Sequence, residues 1–220
     1  LSLHDYVDLK AEQKSLTDLA ALYNGTVNVA GGDQPVRYNG AFITPNAFEA
    51  LQARPVLGRA FRPEEAEPGA PLAILLGHHV WKNDFGADPD ILGRTLRVHG
   101  EQATVVGVMP EGFKFPDTQD VWLPYRVNPL DVARGKGNDL EVYGRLAPGV
   151  TREEASAELN GIARRIHDAN PETVEWADFR VEKFSKPPSD MTLVFNTLLA
   201  TVLLVLLVAC MNVANPLLAR

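Results

Sequence analysis

Residues 140–172, LEVYGRLAPGVTREEASAELNGIARRIHDANPE, change their period part-way along. LEVYGRL alternates as a strand does, with successive side chains on opposite faces. After the turn residues Pro148 and Gly149, Thr151 and Glu154 stand three apart as a capping box. Ala155, Leu159, Ile162 and Ile166 then recur at the spacing of one helical face. FRVEKF (179–184) reads as a returning strand. Strand, amphipathic helix and strand make a βαβ-like unit in an α+β domain.

The segments upstream supply the rest of that domain. Ser2 is placed to cap a helix over Leu3–Gln13, with Asp5 in its first turn beside the free N–H groups. Residues 23–44, YNGTVNVAGGDQPVRYNGAFIT, alternate short β-favouring runs with Asn-Gly and Gly-Gly, which predicts a meander with turns at those pairs. Thr44 and Pro45 predict a capped short helix burying Phe48 and Leu51. Leu72–Leu76 reads as a buried strand, followed by a helix that pairs Trp81 with Phe85 and stops at Gly86. Two strands joined at His99-Gly100 follow, then a strand at DVWLPY (120–125). The loop 128–139 around Gly135 and Gly137 is polar and reads as flexible and exposed.

The C-terminal run differs from everything before it. Met191–Ala219 contains no Asp, Glu, Lys or Arg, and a helix rising about 1.5 Å per residue needs roughly 20 apolar residues to cross a hydrocarbon core. A buried core helix is the alternative, but such helices run shorter and keep a polar stripe. The run therefore predicts one C-terminal transmembrane helix, joined to the domain by SKPPSD (185–190). The whole chain carries net charge −7; without Arg220, the only charge after Asp190, it is −8. An acidic body suits the non-cytoplasmic side, with Arg220 at the cytoplasmic end. It also argues against nucleic acid, which needs clustered Lys and Arg.

Motifs for chemistry are missing from the sequence. Cys210, the single cysteine, lies inside the apolar run, so residues 1–190 have no thiol for a disulfide, a zinc-thiolate cluster or a nucleophile. His78 and His79 are adjacent and diverge by about 100° on a helix, and His4, His99 and His167 are scattered. The acidic stretch PEEAEPG (63–69) lacks the alternating oxygens of a calcium loop, and no glycine-rich turn links a strand to a helix as a phosphate cradle does. No catalytic, cofactor-binding or metal-ligating residue is expected, no cofactor, and no enzyme activity.

VWKNDFGADPDILGRTLRVHGEQATVVGVMPEGFKFP (80–116), with DVWLPY after it, resembles the periplasmic core domain of MacB-type ABC transporter permeases. LLVLLVACMNVANPLLAR (203–220) resembles the start of the FtsX-like permease domain that follows it. YVDL (6–9) and GRLAPGVTREEA (144–155) extend the likeness over essentially the whole chain. The resemblance implies an α+β fold with a porter-like βαβ subdomain, 1–22 and 140–185, and an inserted β-rich part, 23–139. Together these form an extracytoplasmic domain, 1–190, followed by the membrane helix, 191–220.

As function the resemblance implies an extracytoplasmic permease domain in the bacterial inner (plasma) membrane, relaying cytoplasmic ATP-driven motion to export or extraction of a substrate. The partners it implies are an ABC ATPase subunit or domain, a second permease in a homodimer or pseudo-dimer, a periplasmic membrane-fusion adaptor and the lipid bilayer. Pro216 departs from the family's ANLLLAR pattern and removes a helix hydrogen bond there. The lack of a span before Leu1 and the stop at Arg220 imply a piece of a longer permease. A membrane-anchored sensor or binding domain is the competing reading; the sequence on either side of this chain separates the two.

Overall fold

The computed structural model describes residues 1–30, 35–173, 179–184 and 195–208, in two compact units, Leu1–Glu182 and Lys183–Arg220. In chain order the first unit holds α1 (Leu3–Glu12), β1 (Leu16–Ala30), β2 (Val36–Ile43), α2 (Ala47–Ala50), β3 (Leu57–Gly58), β4 (Leu72–Leu76) and α3 (His78–Asp84). It continues with β5 (Thr95–Val98), β6 (Glu101–Val108), β7 (Val121–Pro124), β8 (Glu141–Leu146) and α4 (Arg152–Ala169). The fold is mixed α+β and rich in sheet.

The strand order β2-β7-β4-β6-β5-β1 returns on itself, because β1 also pairs with β2. Six strands thus form a closed ring, which leaves no free edge among them. One face of the ring buries Val27, Val29, Ile74, Leu76, Val98, Val105 and Val121 together. The other face places Leu22, Ile43, Leu75 and Trp122 against α2 and the 113–115 loop. Strands covered on both faces have no polar alternation, so LAILL and VWLP read as continuous apolar runs.

β1 is 15 residues long and serves three partners: Leu22–Val29 pair with β2, Leu16–Leu22 with β8, and Val29 and Ala30 with β5. The expected turns at Asn24-Gly25 and Asn39-Gly40 are not formed. Both pairs lie inside strands, with Gly25 opposite Gly40. The reason is local space: a Cβ on Gly40 would stand 2.3 Å from Val27 Cγ2, and one on Gly25 would stand 3.2 Å from the Phe42 ring. Here glycine admits a neighbour instead of reversing the chain. The turn that does form, His99-Gly100, has φ values of 51° and 89°, as a two-residue hairpin between β5 and β6 requires.

Two further expectations are corrected. Thr44 does not cap α2; its hydroxyl accepts from the Ala21 backbone N–H at 3.1 Å, and Asn46 is the residue before the helix. FRVEKF is not a strand, since its described residues 179–184 are irregular and Phe179 and Val181 bond to side chains of α4. The other helices form as read: Ser2 caps α1 on the Asp5 N–H, and Thr151 and Glu154 close the capping box of α4. In the second unit residues 195–208 are helical with exposed apolar side chains. Among the described residues no helix is long and apolar enough to cross a membrane. Both ends of Met191–Ala219, with Pro187, Pro188 and Pro216, lie outside the described residues.

Overpacking a filled site costs about 1–3 kcal/mol. Gly40→Ala is therefore expected to destabilise the chain in urea titration by that amount, and Val27→Ala to relieve part of it when the two are combined. A turn glycine would instead show additive losses, because its cost would lie in φ and not in Val27.

Candidate functional site

The first surface of interest is α4, which holds two separate stretches of chain. Leu159, Ile162 and Ile166 pack on Leu9 of α1, with Phe179 and Val181 against the same cluster. The Glu158 carboxylate accepts from the backbone N–H groups of Lys14 and Ser15 at 3.0 and 2.9 Å, and Arg165 pairs with Glu12 at 2.6 Å. Along the helix, Asn160 exchanges two hydrogen bonds with Phe179 and the Ser156 hydroxyl accepts from the Val181 N–H. Ser156 and Asn160 are i,i+4 neighbours, so 179–181 runs antiparallel to α4, its backbone partnered by side chains in place of a neighbouring strand.

Burial works against the charge on Glu158, but the hydrogen bonds from Ser15 and Lys14 outweigh it and hold its carboxyl below the ordinary glutamate value. The N-terminus is fixed a second time by the loop 128–139. That loop is largely exposed, as expected, but Arg134 ties its middle to Asp5 and Asp8 of α1 at 3.0 and 2.7 Å, and Leu1 and Leu140 exchange backbone bonds.

The second feature is an open cleft of about 860 Å³ between α2, the start of β1 and residues 52–60. Arg54, Arg59 and Arg145 line it together with Asp18 and Glu49. Arg59 is neutralised by a two-pronged pair with Glu65, at 2.6 and 2.9 Å. Arg145 gives one N–H to the Ala50 carbonyl at the end of α2. Neither Arg54 nor Arg145 forms an ion pair with any described residue, and the same holds for Asp18 and Glu49.

Two of the cleft's non-glycine residues sit in left-handed backbone. Asp18 (φ 54°) is in a bulge where β1 gains one residue on β8. Gln52 (φ 53°) closes α2, with its own N–H bonded to Glu49 and that of Ala53 to Phe48. Glycine is the usual residue at such a helix end, since a Cβ costs about 1–2 kcal/mol there.

The histidines stay apart. His79 meets Asp120 at 2.9 Å, where Lys114 also binds, and among the described residues no three His, Cys, Asp or Glu side chains group as metal ligands. Sequence reading reached the apolar face of α4 but not its polar grip. The i,i+3 pair Asp5 and Asp8 and the i,i+4 pair Ser156 and Asn160 are visible as patterns, while their partners lie 126 or more and 19 or more residues away.

Known proteins carry this fold. The periplasmic region of MacB from Actinobacillus actinomycetemcomitans superposes with a TM-score of 0.59 at 16% identity, over 76% of this chain and 75% of that one. The extracellular domain of the noncanonic ABC-type transporter YknZ from Gram-positive bacteria gives 0.57 at 15%, over 79% and 87%. A domain of a putative permease protein from Porphyromonas gingivalis gives 0.57 at 16%, over 85% and 83%. No curated protein matches the sequence. The MacB-like periplasmic core domain family matches residues 1–162. The chain belongs to that family. A MacB-like core domain is an extracytoplasmic part of a membrane ABC transporter permease, which places the chain in a transporter.

Two measurements check the MacB-like domain's geometry. A carboxyl whose folded value is lowered adds stability that is complete above the ordinary value of 4.5 and is lost as pH falls through the lower folded value. Glu158→Gln is thus expected to be less stable than the parent chain near neutrality and to converge with it in acid, in urea titrations across pH. Gln52→Gly is expected to raise stability by up to about 1 kcal/mol, by releasing the left-handed strain, in the same assay.

Proposed function

We propose that this domain relays motion within an ABC permease: cytoplasmic ATP-driven movement of the membrane helices reaches the domain, which shifts largely as a rigid body and drives export or extraction of a substrate. In this reading residues 1–190 stand in the periplasm or at the cell exterior of a bacterium, Met191–Ala219 crosses the inner (plasma) membrane and Arg220 is cytoplasmic. The acidic domain and the uncharged run support that placement. The division into a porter-like part, 1–22 and 140–185, and an inserted part, 23–139, belongs to the same proposal. So do an ABC ATPase, a second permease, a periplasmic adaptor and the bilayer as partners.

One observation carries the reading: a single helix, α4, grips both the N-terminal segment through Glu158 and Arg165 and the 179–181 segment through Ser156 and Asn160. The linker that follows contains Pro187 and Pro188, and consecutive prolines favour a stiff extended chain. Motion delivered along that linker would be passed to α4 and the sheet instead of being absorbed. The domain does no chemistry of its own; a relay needs rigid attachment and not a reactive group.

In the full-length transporter, Ser156→Ala combined with Asn160→Ala, or Pro187 and Pro188 both replaced by Gly, is expected to lower transport several-fold while ATP hydrolysis persists. ATPase rate and transport are measured on the same preparation. Unchanged transport per ATP in both variants would overturn the relay.

A further inference from the structure

The end of the strand ring away from α3 has no part in the relay. We infer that it is a binding site for a small neutral aromatic molecule, of one ring or two fused rings, seated in the mouth of the ring between aromatic side chains.

The topology closes one end of the ring and hollows the other. All six strands contribute to a single buried cluster, which only the inward face of a closed ring allows. α3 follows the C-terminal end of β4, and its Val80 is fully buried in that cluster with Trp81 and Phe85 packed on it, so this end is stoppered. A hollow of about 240 Å³ lies at the opposite end, where β4 begins at Leu72 and β7 runs out at Pro124. Its floor is Leu72, Val98 and Leu123, members of the interior cluster and at most 7% exposed. A ring of so few strands is filled by its own side chains, so a ligand has room at the mouth and none in the bore.

The lining selects the ligand. Above the aliphatic floor the walls are rings. Tyr23 lies 4.5 Å from Phe42 and parallel to it within 4°, Tyr125 meets Tyr23 edge-on at 5.5 Å, and the His99 imidazole stands 6.5 Å from Phe42 at 22°. Rings set this way offer faces and edges that a further flat ring meets in offset or edge-on contact, a geometry that an alkyl chain does not use. The charged side chains of the rim, Arg126 and Glu101, are spent on each other through two bonds of 2.8 and 3.1 Å, and Arg126 also donates to the Ala70 carbonyl. Burial pushes the Tyr23 hydroxyl up to about 12 and raises that of Tyr125 as well, so both phenols are uncharged at physiological pH. A charged ligand would lose water here without gaining a partner, and a neutral one loses little. Size sets the remaining limit: an apolar cavity of about 150 Å³ takes up benzene, so about 240 Å³ holds one substituted ring or two fused rings.

The test is photolabelling of the full-length permease in lipid nanodiscs with a neutral phenyldiazirine, the labelled peptides being mapped by mass spectrometry. Label is expected in the stretches 98–114 and 115–126 well above that at exposed Leu92, and excess free indole is expected to lower it about fivefold or more. His99→Asn keeps the left-handed turn, which asparagine also adopts, and removes one ring; it is expected to lower labelling about threefold with the melting temperature unchanged. A purely structural role of His99 would leave the labelling as it was. Val127→Trp fills the hollow from a half-buried position in its lining and is expected to abolish labelling. Label at 98–126 no higher than at Leu92, or labelling unchanged in both variants, overturns the proposal. Displacement by dodecane as well as by indole overturns it in favour of an acyl-chain site. Label that resists indole but yields to a tripeptide with a central tryptophan overturns it in favour of a partner protein's aromatic side chain. None of these readouts involves transport or ATP hydrolysis, so this proposal and the relay can fail separately.

Discussion

The rest of the domain depends on β1 and β2 each running straight through an Asn-Gly pair. Because Gly40 has no side chain, Val27 can lie directly against it, and β1 and β2 stay paired over eight residues. That pairing closes the ring of six strands. It also leaves the first half of β1 free to carry β8, and through β8 the capped helix α4. A chain that turned at Asn24-Gly25 would close neither the barrel nor the connection between the barrel and α4. The small side chains there set the distance of closest approach, and the ring follows from it.

The polar contacts have a division of labour. The barrel is held by apolar burial on both faces, which is non-directional and rigid. The two distal chain segments, by contrast, are attached by directed bonds. Glu158 binds the turn before β1, Arg134 binds α1 across Asp5 and Asp8, and Asn160 and Ser156 hold the chain beyond α4. Directed bonds of this kind fix orientation, while many of them are partly exposed and individually modest in energy. In the proposed relay such attachments would transmit direction while the body stays undeformed.

By itself the sequence determined the elements whose signals are local. The Ser2 cap of α1, the capping box of α4, the buried runs at Leu72–Leu76 and Val121–Pro124, the His99-Gly100 hairpin and the family resemblance all rest on residues within a few positions of one another. Tertiary structure decided the rest. Asn-Gly can reverse a chain or admit a neighbour, and Val27, thirteen residues from Gly40, selects the second. FRVEKF alternates as a strand does, but the bonds that would make it one go to Ser156 and Asn160. Thr44 can cap a helix, but Ala21 reaches its hydroxyl first. In each case one local pattern permits two hydrogen-bonding or packing outcomes of similar energy, and a residue distant in the chain supplies the difference.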